Sequence, residues 1–208
     1  IMADYPEKAA KNRFKGGIKI SKGQAQQQPT ETDTTGYIFS NKNRSRLMQV
    51  EETRFTYNVL EPYESWEIHF AEFWKYWELY KEKFQPNNII SIATKFTNRI
   101  KLPFPSGDLD EYFTCMPPVP KTLPQVLQTF FMQIQVPIQA SEKNVAITQT
   151  IEPIKDNVLP FILDITVQES FDIGKDFDYI KSDFEEMRGI KNKVFEDCIT
   201  EKTRQLFK

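Results

Sequence analysis

A periodic alternation of apolar and polar positions sets in at Tyr37-Ile38-Phe39. Past the turn Ser40-Asn41-Lys42-Asn43 it continues as one strand-like stretch from Arg46 to Leu60. Within that stretch Leu47, Gln49, Glu51, Thr53, Phe55, Tyr57 and Val59 share a face, and Phe55-Thr56-Tyr57-Asn58-Val59 is rich in strand formers. The pattern predicts a β-hairpin. Glu61-Pro62-Tyr63-Glu64 is a turn, and Ser65 stands where a helix N-cap is needed. Trp66, Phe70, Phe73, Trp77, Tyr80 and Phe84 then recur at spacings of four and three, which puts six large rings on one side of a helix. Rings at this spacing read as core packing rather than as a stacking platform. Gln85-Pro86-Asn87-Asn88 ends the helix.

Strand periodicity returns over Ile89–Leu102. Ile90, Ile92, Thr94, Phe96, Asn98 and Ile100 line one face; Ser91, Ala93, Lys95, Thr97, Arg99 and Lys101 line the other. From Pro103 to Pro124 prolines leave room only for a short helix around Gly107–Phe113. Three more strands follow, Phe130–Ile138, Val145–Ile151 and Val158–Glu169. Phe177, Ile180, Phe184, Met187, Ile190, Val194 and Cys198 mark a long amphipathic helix, and a second helical piece runs from Thr200 to Phe207. The order is ββαβ, a Pro-rich linker, then βββα. This predicts an α+β fold of antiparallel sheet, with the long helices packed on one face. The expected organisation is a basic, polar leader over 1–36 and one α+β domain over 37–208. Its halves, 37–102 and 125–208, are joined by the linker 103–124. They repeat a plan without internal sequence identity.

Composition narrows the chemistry. With 27 Lys+Arg against 29 Asp+Glu in 208 residues, the chain lacks the global basicity of a phosphate-backbone binder. No apolar run approaches a membrane span, and the charged first residues do not form a signal peptide. Two cysteines, Cys115 and Cys198, make no disulfide framework, which points to the cytoplasm. One histidine, His69, is too few for a His-ligated zinc, and its helical context reads as a surface or boundary position. Gly16-Gly17 lacks the spacing and setting of a phosphate loop. Accordingly no cofactor, no metal and no catalytic residue is assigned, and the reading leans away from an enzyme.

Three constellations remain. Asn98 and Arg99 with Asp164 form an expected polar network joining the two halves of the sheet. Lys95, Arg99 and Lys101, together with Lys11, Arg13 and Lys15 of the leader, are candidate contacts for an anion or a nucleic acid. Asp108, Asp110 and Glu111, with Asp164 on a strand, are the only carboxylate set considered for a divalent cation. Helix-start placement accounts for the first three equally well.

Several segments also resemble a known family. They are Asp4-Tyr5-Pro6, the Leu60–Trp66 stretch leading into the aromatic helix, Lys95–Pro103, Phe161–Ile165 and, most specifically, the ending Val194–Phe207. The last has the form F-x-x-x-I-T-D/E-x-x-R-x-x-F through Phe195, Ile199, Thr200, Glu201, Arg204 and Phe207. The chain thereby resembles a sporadically distributed family of functionally uncharacterised bacterial and archaeal proteins. Thr166 stands where that family carries the second Asp of L-D-I-D, and the family's opening strand has no counterpart ahead of Tyr5, which agrees with Ile1, preceding Met2, not being a translation start. The resemblance implies a prokaryotic accessory protein and brings no catalytic residues. The expected function is a non-catalytic interaction subunit or regulator in a multi-protein system, such as antiphage defence or toxin–antitoxin, with a protein partner or a homo-oligomer. The alternatives are a nucleic-acid-binding accessory protein and a metal-dependent hydrolase or nuclease.

Overall fold

The computed structural model describes residues 1–15, 18–21, 24–27, 31–124, 127–139, 141–175, 177 and 179–207. The fold is α+β, with two antiparallel four-stranded sheets. The chain divides into two compact units, Ile1–Asn87 and Asn88–Lys208.

In the first unit the sheet is formed by β1 (Glu7–Lys15), β4 (Glu31–Ser40), β5 (Arg46–Glu51) and β6 (Arg54–Val59), in the order β1-β4-β5-β6. Two short strands, β2 (Ile18–Ser21) and β3 (Gln24–Gln27), pair with each other between β1 and β4. The expected leader is therefore largely strand: β1 pairs with β4 from Glu7↔Ser40 to Lys15↔Glu31, with one bulge after Lys11. Its apolar period is missing because an edge strand contributes little to the core and carries charge along its length. Gly16 and Gly17, which lack the spacing and setting of a phosphate loop, lie outside the described residues.

The stretch 46–60 is itself a hairpin rather than one strand. It turns at Glu52-Thr53, so that Glu51 opposes Arg54, Val50 opposes Phe55 and Met48 opposes Tyr57. The reversal exchanges the faces: Met48, not Leu47 or Gln49, shares a side with Tyr57, because directly opposed residues of antiparallel strands point the same way. Gly36 opposes Glu51, and a Cβ there would lie 2.3 Å from the Val50 carbonyl oxygen, so no larger residue fits.

Helix α1 (Trp66–Phe84) starts where Ser65 accepts from the Ile68 N–H and ends at Gln85, whose φ of 46° is left-handed. Its ring stripe is core: Phe55 meets Phe73, Trp77 and Tyr80 at centroid distances of 5.8, 6.2 and 5.5 Å. Tyr5, Met48 and Tyr76 are buried beside them, packed by Phe39, Tyr57 and Leu79.

The second unit contains β7 (Ile89–Pro103), β8 (Phe131–Pro137), β9 (Lys143–Ile151) and β10 (Val158–Lys175), in the order β7-β10-β9-β8. Helix α2 (Ile180–Cys198) packs on β10 and β7 through Ile180, Phe184 and Met187, and a short α3 (Glu201–Arg204) follows. The strand β7, assigned from sequence to the first half, pairs with β10 along almost its whole length, from Val158↔Pro103 to Ser170↔Ser91. The expected division at a linker is thus displaced to Asn87/Asn88. The Pro-rich segment belongs to the second unit. It carries the chain from β7 at one edge of the sheet to β8 at the other, which no short turn can do. On the way it inserts Tyr112 and Phe113 into the core, Phe113 stacking on Phe161 at 3.7 Å. Both units place a helix of 19 residues after their fourth sheet strand, yet their strand orders differ, so the shared plan is architectural and not a repeated topology.

Candidate interaction surface

Alternation along β7 and β10 decides what its polar residues can reach. Asp164 opposes Thr97, so the Asp164 side chain shares a face with Lys95, Thr97 and Arg99. Its carboxylate accepts from Thr97 Oγ1 at 3.0 Å and pairs with Lys95 Nζ at 3.0 Å. Asn98 points to the opposite, helix-covered face, and its amide donates to the Leu163 carbonyl at 3.1 Å. Arg99 lies on the Asp164 side but forms its ion pair with Glu152, Nη2 to Oε2 at 2.7 Å. The expected Asn98–Arg99–Asp164 network is accordingly replaced by Lys95–Asp164–Thr97 and a separate Arg99–Glu152 pair. Adjacent residues of a strand cannot serve one site on one face. The Lys95–Asp164 pair does join two strands, β7 and β10, that the sequence alone set in different halves.

The candidate anion contacts fare unevenly. Lys95 and Arg99 are neutralised as above, and Lys11 is held by Glu51 at 2.7 Å and Gln49 at 3.0 Å. Lys101 and Arg13 are exposed, in different units, and the side chain of Lys15 lies outside the described residues. Among the described residues no three carboxylate, His or Cys groups gather to hold a metal ion. Asp108 caps a single 3-10 turn by accepting from the Asp110 N–H at 3.1 Å, and Glu111 pairs with Lys202. His69 is buried, not at a boundary: its Nε2 accepts from the Glu64 N–H at 3.3 Å and its ring lies 5.0 Å from Tyr63. Cys198 is buried, and burial first, then Cys115 and Asp197, pushes its thiol up to about 11.

The closing motif Phe195–Phe207 has a structural account. Ile199 is buried and bridges to Phe113, the Thr200 hydroxyl donates to the Glu111 carbonyl at 2.6 Å, Arg204 pairs with Glu196 at 2.8 Å, and the Phe195 and Phe207 rings sit 6.3 Å apart. The expected N-cap Thr200 occupies that position, but its hydroxyl is used across the chain rather than on the helix.

Two polar clusters escaped the sequence reading. On α1, Glu72 accepts from Tyr5 Oη at 2.7 Å, Arg46 Nη1 at 2.7 Å and Tyr57 Oη at 2.9 Å. Burial works against its charge, but the two hydroxyls and the guanidinium outweigh it and hold the carboxyl below its ordinary range. In the second unit, Lys143, only 4% exposed, lies 3.0 Å from Glu169, 2.9 Å from Glu186 and 3.9 Å from Asp183. Burial opposes its charge as well, yet the carboxylates of Glu186 and Glu169, to which it donates, hold the ammonium above its ordinary range. Both clusters pair groups of a helix with groups of the sheet and act as fasteners between them.

The surface that remains open is the β8 end of the second sheet. Among the described strands β8 pairs only with β9, over Phe131↔Thr150 to Pro137↔Asn144 and without a bulge. Five of its seven residues are exposed, Phe131 at 71% and Val136 at 44%. Charged residues stand on each of the other edge strands of the two four-stranded sheets, Lys8, Lys11 and Arg13 on β1, Arg54 on β6, and Lys95, Arg99 and Lys101 on β7. On β8 there are none: Phe-Met-Gln-Ile-Gln-Val-Pro. That uncharged run, in a chain with 27% charged residues, was the signal available in the sequence. Comparison with models of protein families, with curated proteins and with solved structures finds no match.

Proposed function

We propose that this chain is a non-catalytic interaction subunit or regulator of a prokaryotic multi-protein system, and that it docks by adding a strand to its sheet at β8. The resemblance carried by the closing motif supports the prokaryotic setting, with antiphage defence or toxin–antitoxin systems as the type. A single observation carries the docking mode: β8 is an open edge without charge, while Lys and Arg mark the other edges of the two four-stranded sheets. An edge strand offers a row of unpaired N–H and C=O groups, and folded proteins ordinarily blunt it with charge, bulges or cover. An edge left straight and uncharged is suited to β-augmentation, in which main-chain hydrogen bonds supply affinity and alternate side chains supply selectivity. The neutralised strip at Lys95 and Arg99 favours this reading over a phosphate-binding one.

The test is a tagged pull-down from the native host at low and high salt, with the wild type and with Gln133→Lys/Gln135→Lys, which charges the edge at two exposed positions. The expected result is a stoichiometric protein partner that persists at high salt and is lost in the variant. Nucleic acid that is recovered only at low salt, with no protein partner, would replace the proposal by the nucleic-acid reading.

A further inference from the structure

We infer that the strand added at β8 is β8 of a second copy of this chain, antiparallel and centred on Ile134, so that two sheets join into one across a twofold axis. The inference rests on the strand-addition reading and names the partner.

The argument is one of self-complementarity. A twofold-symmetric edge contact presents the same strand to itself, so each residue meets the one equidistant from the axis on the copy. With the axis at Ile134, Gln133 opposes the copy's Gln135, Met132 opposes its Val136, and Phe131 opposes its Pro137. The seven residues Phe-Met-Gln-Ile-Gln-Val-Pro read alike in type from either end: ring, apolar, amide, Ile, amide, apolar, ring. The Met132–Val136 and Ile134–Ile134 pairs then lie on the helix-covered side, and the Gln133–Gln135 and Phe131–Pro137 pairs on the open side. Any register displaced by one residue sets Gln against Met, Ile or Val and turns the two α2 helices to opposite faces. Displacement by two residues sets Gln133 against Pro137 or Phe131 against Gln135, so only the register centred on Ile134 opposes all seven residues in like pairs.

Exposure agrees with it. Phe131, 71% exposed, is the most exposed large apolar residue among the described residues of the second unit, and the copy's Pro137 is the residue this register brings to it. Pro137 has no N–H to donate and is the last residue of β8, so it ends the ladder instead of interrupting it. No like charges meet in the contact because β8 carries none. On β7, the opposite edge, the same operation about its centre, Phe96, would set Lys95 of one copy diagonal to Lys95 and Arg99 of the other.

The experiment is sedimentation equilibrium of the full chain together with register-specific cross-linking. The wild type is expected at twice the 24.5 kDa chain mass, and Gln133→Lys/Gln135→Lys at the mass of one chain, with unchanged far-UV circular dichroism. In a Cys115→Ser background, chains carrying Gln133→Cys are expected to form a disulfide with chains carrying Gln135→Cys. Neither is expected to do so with its own kind, since only directly opposed positions satisfy disulfide geometry. A wild type that stays monomeric at about 100 μM, well above the range in which an interface of ordinary size holds, overturns the inference. So does a dimer that survives the lysine variant, or one that cross-links through Gln133→Cys alone. A monomeric wild type that still captures a host protein, lost in the lysine variant, removes the homodimer and leaves strand addition standing. A monomer that captures nothing removes both.

Discussion

Glu72 illustrates how much one half-buried carboxylate organises. It holds Tyr5, Arg46 and Tyr57, and so ties the N-terminal segment, β5 and β6 to one point on α1. Because its folded-state carboxyl lies below the ordinary carboxylate range, its contribution is present above that range and is lost as pH falls through the folded value. Glu72→Gln is therefore expected to destabilise the protein at pH 7 by about 1–3 kcal/mol, the cost of weakening hydrogen bonds to a charged group. The gap from wild type should narrow as the solution is acidified through the carboxylate range. Urea unfolding at neutral and at acid pH reads both quantities, and a gap of equal size at both would refute the role. Asp4 acts alongside, accepting from Tyr76 Oη at 2.6 Å and Lys75 Nζ at 3.1 Å. Asp4-Tyr5-Pro6, conspicuous in the sequence, is in this fold an anchoring segment.

At the scale of elements, the Pro-rich segment is where the sequence misled most. Prolines exclude long helix and central strand, and such a stretch reads as a connection. Its value lies in Tyr112 and Phe113, which are buried in the second unit while the backbone around them is held by α2 and α3: the Thr114 N–H donates to the Cys198 carbonyl and the Thr200 N–H to the Tyr112 carbonyl. Phe113→Ala is expected to cost about 3–5 kcal/mol, as for a large ring deleted from a packed core. Thermal unfolding measures the loss, and a change below about 1 kcal/mol would return the segment to the status of a linker. The hairpin β5–β6 offers the converse lesson. Its strand character was legible, its reversal was not, because Glu51, Glu52, Thr53 and Arg54 continue an alternating pattern straight through the turn.

For the whole molecule, each unit has its own sheet, its own helix and its own buried core. Fragments 1–87 and 88–208, produced separately, are expected to unfold cooperatively, each with the circular dichroism of mixed helix and strand. A fragment that shows no unfolding transition while the full chain does would overturn the division. The boundary was hidden for a physical reason. Alternation identifies a strand and its inward face but is silent about its partner. The contact that allots β7 to the second unit runs to β10, across a sequence separation that includes the whole Pro-rich segment.

Local chemistry determined much of this protein from sequence: the Ser65-capped aromatic helix, the amphipathic α2, the strands from Ile89 onward and the α+β class follow from period and capping, which act over a turn or a strand. The neutral composition already argued against a globally basic surface. Tertiary structure alone decided the rest. It converted the leader into β1, whose polar sequence is stabilised by backbone pairing. It gave Asp164 to Lys95 and Thr97 and Arg99 to Glu152, and it enclosed Lys143 among carboxylates from β10 and α2. It also made β8 an edge. That last outcome gives the uncharged run Phe131–Pro137 its meaning, since in the middle of a sheet the same residues would be ordinary core.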